Sequence, residues 1–416
     1  MNILLTGAIS LSNKGTAAIV LSTISMLKKT YPQSHMSIEL FYPEKQRKII
    51  DLEKEYGVNI ISPLPQFPLQ AAILLFLTIV LRLNKGFNIK SLKIQRLKAY
   101  VAADVIIDLS AEGFVRLYNQ SLFEAFNRFL IHLYPLLIGL LLRTPIVLFA
   151  QSLAPFGAFK PIMKCILQNS ALVTVRDSTS IEQLKKDGID TSKVHLTADP
   201  AFLLDFASND RVTTLLASEG IDLAAHKGQD IIGICIGKIL SSEKHERMIK
   251  TIAHVADLLI EDRNAIVVFI PHSSGKIRTE SNDVLVGLDI KKQVKKKACF
   301  YVITGDYAPQ DLKGIVGALD CLLSLRMHPV IFAASMKVPS VIIAFNQKAY
   351  GLMSMLALNE NVIHVDRFQE NVLCAHIEKC LIESQSIKSR LENVIPHVVQ
   401  KSWKNITLLE RIFTAT

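Results

Sequence analysis

Paired cysteines are missing from this chain. Its six cysteines (Cys165, Cys235, Cys299, Cys321, Cys374 and Cys380) are scattered over 416 residues, and none stands in a CxxC pair. A disulfide framework and a zinc site are therefore disfavoured, no metal is expected, and a reducing, cytoplasmic compartment fits best. The common nucleotide and hydrolase signatures are also missing: no GxGxxG, no GxxxxGK[ST], no HExxH and no GxSxG occurs. Gly233 and Gly237 precede Lys238 but have only three residues between them, so the phosphate-loop spacing is not met. A nicotinamide dehydrogenase, a P-loop NTPase and the commonest hydrolases are thereby disfavoured. The N-terminal MNILLTG has no basic stretch before an apolar one and no small-residue cleavage site, so it reads as a buried strand rather than a signal peptide.

Long apolar runs are scarce too. Leu69–Leu81 and Leu130–Leu142 are each about 13 residues, short of the roughly 20 that span a bilayer. Acid is absent from one long stretch: no Asp or Glu lies between Glu55 and Asp104.

What is present is apolar and basic. Half the residues are hydrophobic, 20% are charged, and the net charge is +10. Between Tyr56 and Arg176 twelve basic residues face four acids (Asp104, Asp108, Glu112, Glu124). So local a positive field predicts an anionic partner. Because the same stretch is the most apolar in the chain, a membrane surface suits it better than nucleic acid, and no nucleic-acid partner is expected. Leu69–Leu81 is followed by Arg82, Lys85, Lys90, Lys93, Arg96 and Lys98. It reads either as a buried core helix or as a helix lying on an anionic membrane beside a polybasic segment.

Short apolar runs alternate with helical patterns throughout. Strands are predicted at Asn2–Thr6, Ser37–Phe41, Val58–Ile61, Asp104–Leu109, Pro145–Ala150 and Leu172–Arg176. After a polar stretch over 205–229 they resume at Asp230–Ile236, Ala265–Ile270, Cys299–Ile303, Cys321–Leu325 and Ser340–Ala344. Ser178 is the expected N-cap of a helix ending before Gly188. Strands that are apolar throughout indicate sheets covered on both faces. The expected fold is therefore α/β: two Rossmann-like domains with mostly parallel sheets facing a central cleft, residues 1–210 and 211–416. The first would carry the apolar and basic helices 69–98. The amphipathic segment Ser402–Phe413 is expected to pack back on the first domain.

In such sheets ligands bind beyond the carboxyl ends of the strands. Several polar loops stand there. Thr6 to Gly15 joins the first strand to the first helix, with Asn13 as a cap and Lys14 as a cation at an anion-binding helix start. Asp108 and Glu112 follow the fourth strand, where carboxylates suit acid–base work or sugar hydroxyls. Gln151 and Arg176 each stand at a strand end, Arg176 equally able to reach a ligand or to pair with Asp177 or Asp199. Most telling is Ser324-Leu325-Arg326-Met327-His328-Pro329, where a strand ends and a helix opens. Arginine offers a planar fork to a carboxylate or phosphate, the helix start favours negative charge, and histidine moves a proton near neutral pH. His272 and Lys348 follow other strands of the same half.

These residues resemble the polysaccharide pyruvyl transferase family. The likeness runs in order through Asn13-Lys14-Gly15-Thr16-Ala17-Ala18, Gln151-Ser152-Leu153-Ala154-Pro155-Phe156, Val175-Arg176-Asp177-Ser178, Asp199-Pro200-Ala201-Phe202, and Ser324-Leu325-Arg326-Met327-His328 with Pro339 and Lys348. The chain departs from the family pattern at Ser110-Ala111-Glu112-Gly113 and at Ala154, where glycines are usual, and at Phe345-Asn346-Gln347-Lys348, where a Tyr-Asp-x-Lys element is usual. The resemblance implies the two-domain architecture of nucleotide-sugar glycosyltransferases. It also implies transfer of a pyruvyl group from phosphoenolpyruvate to sugar hydroxyls of a cell-surface polysaccharide or its lipid-linked precursor, with no further cofactor. Under it, His328 and Glu112 are the expected catalytic groups, and Arg326, Arg176, Lys348 and His272 the donor site. Asn13, Lys14, Asp108 and Gln151 are the expected acceptor site. A nucleotide-sugar glycosyltransferase and a non-catalytic sugar-binding protein are the alternatives.

Overall fold

The computed structural model describes residues 1–40, 52–61, 69–83, 94–114, 122–153, 155–237, 242–275 and 282–414. The chain forms two compact units. One comprises Met1–Leu11, Ile19–Pro200 and Lys401–Thr416, the other Ser12–Ala18 and Ala201–Gln400.

The first unit is built on a seven-stranded parallel sheet. Its strands are β1 (Asn2–Thr6), β2 (His35–Glu39), β3 (Asn59–Ile61), β4 (Val105–Asp108), β5 (Ile146–Gln151), β6 (Leu172–Val175) and β7 (Val194–Leu196), in the order β3-β2-β1-β4-β5-β6-β7. The second unit carries a six-stranded parallel sheet. Its strands are β8 (Ile231–Cys235), β9 (Ile266–Phe269), β10 (Phe300–Val302), β11 (Cys321–Ser324), β12 (Ser340–Ala344) and β13 (Val362–His364), ordered β10-β9-β8-β11-β12-β13. The α/β class and the mostly parallel sheets follow the sequence. β4, β5, β6, β9, β11 and β12 are buried at every position, as strands covered on both faces must be.

Each order reverses once, and the reversal fixes where a ligand can enter. The chain leaves β1 toward β2 and β3, then returns to the other side as β4. It leaves β8 toward β9 and β10, then returns as β11. The helices on the two sides of such a point diverge, opening a crevice at the strands' carboxyl ends. Those ends are Thr6-Gly7 with Asp108–Ser110 in the first unit, and Cys235–Gly237 with Ser324–Arg326 in the second.

The second apolar run is longer as a helix than as a run. The helix is Leu122–Leu142, and Phe123–Leu142 has the length and composition of a membrane span. Its stretch from Phe129 to Gly139 is taken inside the unit, however, while Phe123 and Phe126 near its start are exposed. Leu133 and Leu136 pack with Ile146, Leu148 and Phe156, while Tyr134 and Ile138 pack with Leu74, Leu97 and Ile106. Helix Leu69–Leu83 buries Ala71, Leu74 and Thr78 but leaves Ile73, Phe76, Ile79 and Leu83 exposed, so the expectation of a fully buried core helix holds for one face only.

Arg96 departs from its expected place among surface cations. It is 6% exposed, and its Nε lies 2.8 Å from Glu39 Oε1. Glu39 ends β2 inside the unit and also accepts from the Tyr100 and Tyr134 hydroxyls. A carboxylate buried there requires a cation and donors, and Arg96 supplies the charge. Lys85, Lys90 and Lys93 lie outside the described residues. At the other end of the unit, the C-terminal segment anchors through polar atoms. Ser402 Oγ donates to Asp199 O at 2.9 Å, Asn405 Nδ2 donates to Ala198 O at 3.0 Å, and Asn405 Oδ1 accepts from Thr174 Oγ1 at 2.6 Å.

Candidate active site

In the second unit, β11 ends at Ser324 and a helix, Met327–Ser335, opens at once. Arg326 occupies its N-cap position in extended conformation. The Ser324 hydroxyl fixes the turn by donating to Arg326 O at 2.7 Å and lying 3.0 Å from Arg326 N. Arg326 Nη2 then pairs with Asp283 Oδ1 at 2.7 Å. The guanidinium lies against Gly237 at the reversal point, where a Cβ would stand 2.4 Å from Nη2. Glycine is what lets the fork cross the end of β8.

Asp283 is fully buried and missed by the sequence reading. Its Oδ2 accepts from the backbone N–H of His272 (3.1 Å) and Ser273 (3.0 Å), so one carboxylate ties Arg326 to the loop after β9. Only its place as the first residue of helix Asp283–Gln293, behind the Asn282 cap, is visible in the sequence. That loop also receives the segment Ser12–Ala18. Asn13 forms an antiparallel bridge with Ser273, and Lys14 N donates to His272 O at 3.0 Å. Asn13 Oδ1 accepts from the N–H groups of Gly15 and Thr16, the helix-capping role expected of it. Lys14 Nζ is paired with Asp306 at 2.5 Å.

The two histidines meet here. Their rings stack with centroids 6.0 Å apart at 18°, and His272 also packs edge-on against Phe332. Burial, then the neighbouring His328, Arg326 and Lys14 charges, hold His272 well below the usual histidine range. His272 is therefore a neutral ring at pH 7 and adds no positive charge to the group. His328 closes on Gly15, where a Cβ would lie 2.3 Å from Nδ1. Lys348 is buried in the first turn of helix Gln347–Met355 after β12, the strand next to β11.

The first unit gathers a second cluster. Asp108 ends β4 beside Gly7, whose φ of +83° and 2.4 Å clearance to Asp108 Oδ1 exclude a side chain. Asp108 Oδ2 lies 2.5 Å from Ser110 Oγ and accepts from Gln151 Nε2 at 2.9 Å, while Ser110 Oγ also lies 2.9 Å from Gln151 Oε1. Ser110 has one hydroxyl proton for two acceptors. The Ser110 hydroxyl is the donor toward both Asp108 Oδ2 and Gln151 Oε1 and serves one of them at a time. Burial pushes the Asp108 carboxyl up to about 7, against the lowering effect of the hydrogen bonds from Ser110 and Gln151.

Arg176 is brought to the same side but not as an open fork. It is 4% exposed; Nη1 pairs with Asp199, Nη2 lies 3.4 Å from Glu112 Oε1, and Nε donates to Ser152 Oγ at 2.8 Å. Glu112 keeps 29% of its side chain exposed. Arg128, also missed by the sequence reading, donates to Glu112 O at 3.0 Å. The neighbouring His132 is buried against Gly113; burial first, then Arg128, lowers its pKa to about 3. Two alanines near the cluster are left-handed: Ala111 (φ 57°) in the loop after β4 and Ala150 (φ 49°) within β5, the latter beside a register shift in the β5–β6 pairing. Among the described residues, no group of three His, Cys, Asp or Glu could hold a metal ion.

Comparison with known proteins places this arrangement. The chain is 24% identical over 307 residues to the amylovoran biosynthesis protein AmsJ of Erwinia amylovora, covering 72% of this chain and 70% of that protein. Among solved structures it is similar in fold to UDP-GlcNAc 2-epimerases. The Neisseria meningitidis enzyme bound to UDP-GlcNAc matches with a TM-score of 0.59 and 14% identity over 99% of this chain and 100% of that one. The Methanocaldococcus jannaschii enzyme matches with a TM-score of 0.56 and 15% identity over 91% and 92%. The two-sheet fold is thus one used by nucleotide-sugar enzymes. The polysaccharide pyruvyl transferase family model matches residues 13–347, from the Asn13 cap through β11 with Arg326 and His328 to the helix after β12, and the chain belongs to that family of transferases.

Proposed function

We propose that the chain moves a pyruvyl group from phosphoenolpyruvate to two hydroxyls of a saccharide destined for the cell surface, free or lipid-linked, forming a cyclic ketal. The observation that carries this reading is the Arg326–His328 turn at the reversal point of the second sheet, braced by Asp283 and packed against Gly15 and Gly237.

The donor is a dianionic phosphate and a carboxylate on one small enol, so it calls for an oriented cation. Arg326 is preorganised for that by Asp283, which holds one nitrogen of the fork. Lys348 is the second donor cation in this reading, and the neutral His272 ring orients His328 by stacking. Lys14 and Asn13 fix the helix start beside them.

The chemistry balances without a redox partner. A proton is added to C3 of the enol, making C2 electrophilic. A sugar hydroxyl oxygen bonds to C2 and gives up its proton. The C2–O bond to phosphate breaks, and a second hydroxyl closes the ring with loss of its proton. Phosphate and ketal are the products, and the donor is consumed as a substrate rather than held as a cofactor. His328 is assigned the proton to carbon. Glu112, the partly exposed carboxylate of the first cluster, is assigned the hydroxyl proton. Such groups are each worth about 10²–10⁴-fold. Asp108 and Gln151 are assigned to the acceptor loop. Arg176, with its fork on Asp199 and Glu112, orients Glu112 rather than gripping the donor. We place the enzyme in the cytoplasm, on the inner face of the membrane.

Donor dependence tests the reading. Purified protein with phosphoenolpyruvate and a saccharide acceptor should release inorganic phosphate only when both are present. Consumption of a nucleotide sugar with no phosphate released from phosphoenolpyruvate would replace it with glycosyl transfer.

A further inference from the structure

Helix Leu69–Leu83 contains one charged residue, Arg82, among fifteen. It packs one side on its own unit, with Ala71, Leu74 and Thr78 buried in a cluster that includes Tyr134 and Ile138 or bonded within the helix. The other side is apolar as well. Ile73 (46% exposed), Phe76 (64%), Ile79 (42%) and Leu83 (81%) recur at helical spacing and form a stripe in water. Leu122–Leu142, which packs beside it, exposes Phe123 and Phe126 near its start. Scattered exposed apolar residues are ordinary, but a whole helix face of them marks an interaction surface.

The chemistry of the face selects its occupant. It offers aliphatic and aromatic carbon and no hydrogen-bonding side chain, so nothing in it specifies direction to a folded partner. It ends at exposed Arg82, and Lys85, Lys90 and Lys93 follow in the sequence with no acid from residue 56 to residue 103. An apolar helical face that ends at an exposed arginine, in a stretch of sequence rich in lysine and free of acid, is complementary to an anionic bilayer: the face enters the acyl boundary and positive charge favours the headgroups.

We propose that helix Leu69–Leu83 is a membrane-docking face that lies in the plane of an anionic bilayer with Ile73, Phe76, Ile79 and Leu83 toward the lipid. The proposal stands on this surface and not on the donor chemistry.

Co-sedimentation of the full chain with vesicles of phosphatidylglycerol and phosphatidylcholine, against phosphatidylcholine alone, tests it. The wild type should sediment with the anionic vesicles at low salt and be released as salt rises. The pair Phe76→Ser and Leu83→Ser should lose at least about tenfold in partitioning. The set Lys85→Gln, Lys90→Gln and Lys93→Gln should lose about fivefold per cation, about a hundredfold together. The set Lys292→Gln, Lys295→Gln and Lys297→Gln, which removes exposed cations of the second unit, should bind as wild type. Leu83→Ser alone, at the most exposed position, keeps the test alive if the pair unfolds. A wild type that stays in the supernatant, or binding that follows the second-unit lysines instead, overturns the proposal. So does a stripe whose loss dissolves a concentration-dependent dimer in the absence of lipid. Phosphate release from phosphoenolpyruvate, measured on the same variants with a soluble acceptor, separates failure of this proposal from failure of the transferase reading.

Discussion

Asp108 should make the protein lose stability as pH rises through a range where most proteins gain it. Its carboxyl is fully buried, its Oδ2 is shared with Ser110 and Gln151, and burial raises it from 3.8 to about 7. In the folded chain it keeps its proton up to about pH 7, whereas the unfolded chain releases it near pH 4. The stabilising contribution is therefore complete below the unfolded value, declines as pH rises toward 7, and is lost above it. Each pH unit in that window costs at most about 1.4 kcal/mol, so the full difference is about 2–4 kcal/mol once relaxation around the site is allowed for. Asp108→Asn removes the titration. The amide oxygen in the Oδ2 place keeps the bonds from Ser110 and Gln151 Nε2, and its NH2, left at the buried and unpartnered Oδ1 position, adds a constant cost of about 1 kcal/mol. Urea unfolding of both proteins between about pH 5 and pH 8 reads the result: the wild type should fall relative to Asp108→Asn, which becomes the more stable protein by pH 8. A difference that stays constant across the window would refute a carboxyl raised by burial at this position.

Arg326→Ala should raise the donor KM and lower kcat, and Arg326→Lys should not restore either, because a point charge cannot replace the fork held by Asp283. His328→Ala should act mainly on kcat, by about 10²–10⁴-fold, since its work lies in the transition state; steady-state kinetics on both separates the roles. Gly15→Ala should lower kcat about tenfold or more without unfolding the chain, because a Cβ 2.3 Å from His328 Nδ1 displaces the ring. Ala111→Gly should raise stability by about 1 kcal/mol in urea unfolding by relieving a left-handed alanine.

The sequence made the central strands legible, because strands buried on both faces are unbroken apolar runs. β7 and β13 are not legible there: each is a three-residue strand at a sheet edge with little apolar pattern to carry a signal. The cap of helix Ser178–Lys186 is Asp177 rather than Ser178. Both residue types cap well; Asp177 accepts from Ser180 N and also from the Ser152 hydroxyl, just past the end of β5. At the site, Arg326 and His328 could be read because they are two residues apart at one strand end. Asp283 could not, because it reaches Arg326 from 43 residues away through the fold. Ala111 shows the reverse. The family's usual glycine at this turn has a cause in φ of 57°, and the departure noted in the sequence is a strained position in the structure.

The mass of the product distinguishes pyruvyl transfer from every other outcome. The full chain is incubated with phosphoenolpyruvate and a panel of saccharide and lipid-linked saccharide acceptors, and the acceptors are weighed by mass spectrometry beside the Arg326→Ala and His328→Ala variants. The wild type should yield an acceptor heavier by one pyruvate less one water, formed one for one with phosphate, and both variants should lose it. An unchanged acceptor mass across the panel, or a pyruvylated product formed equally well by both variants, would contradict that expectation.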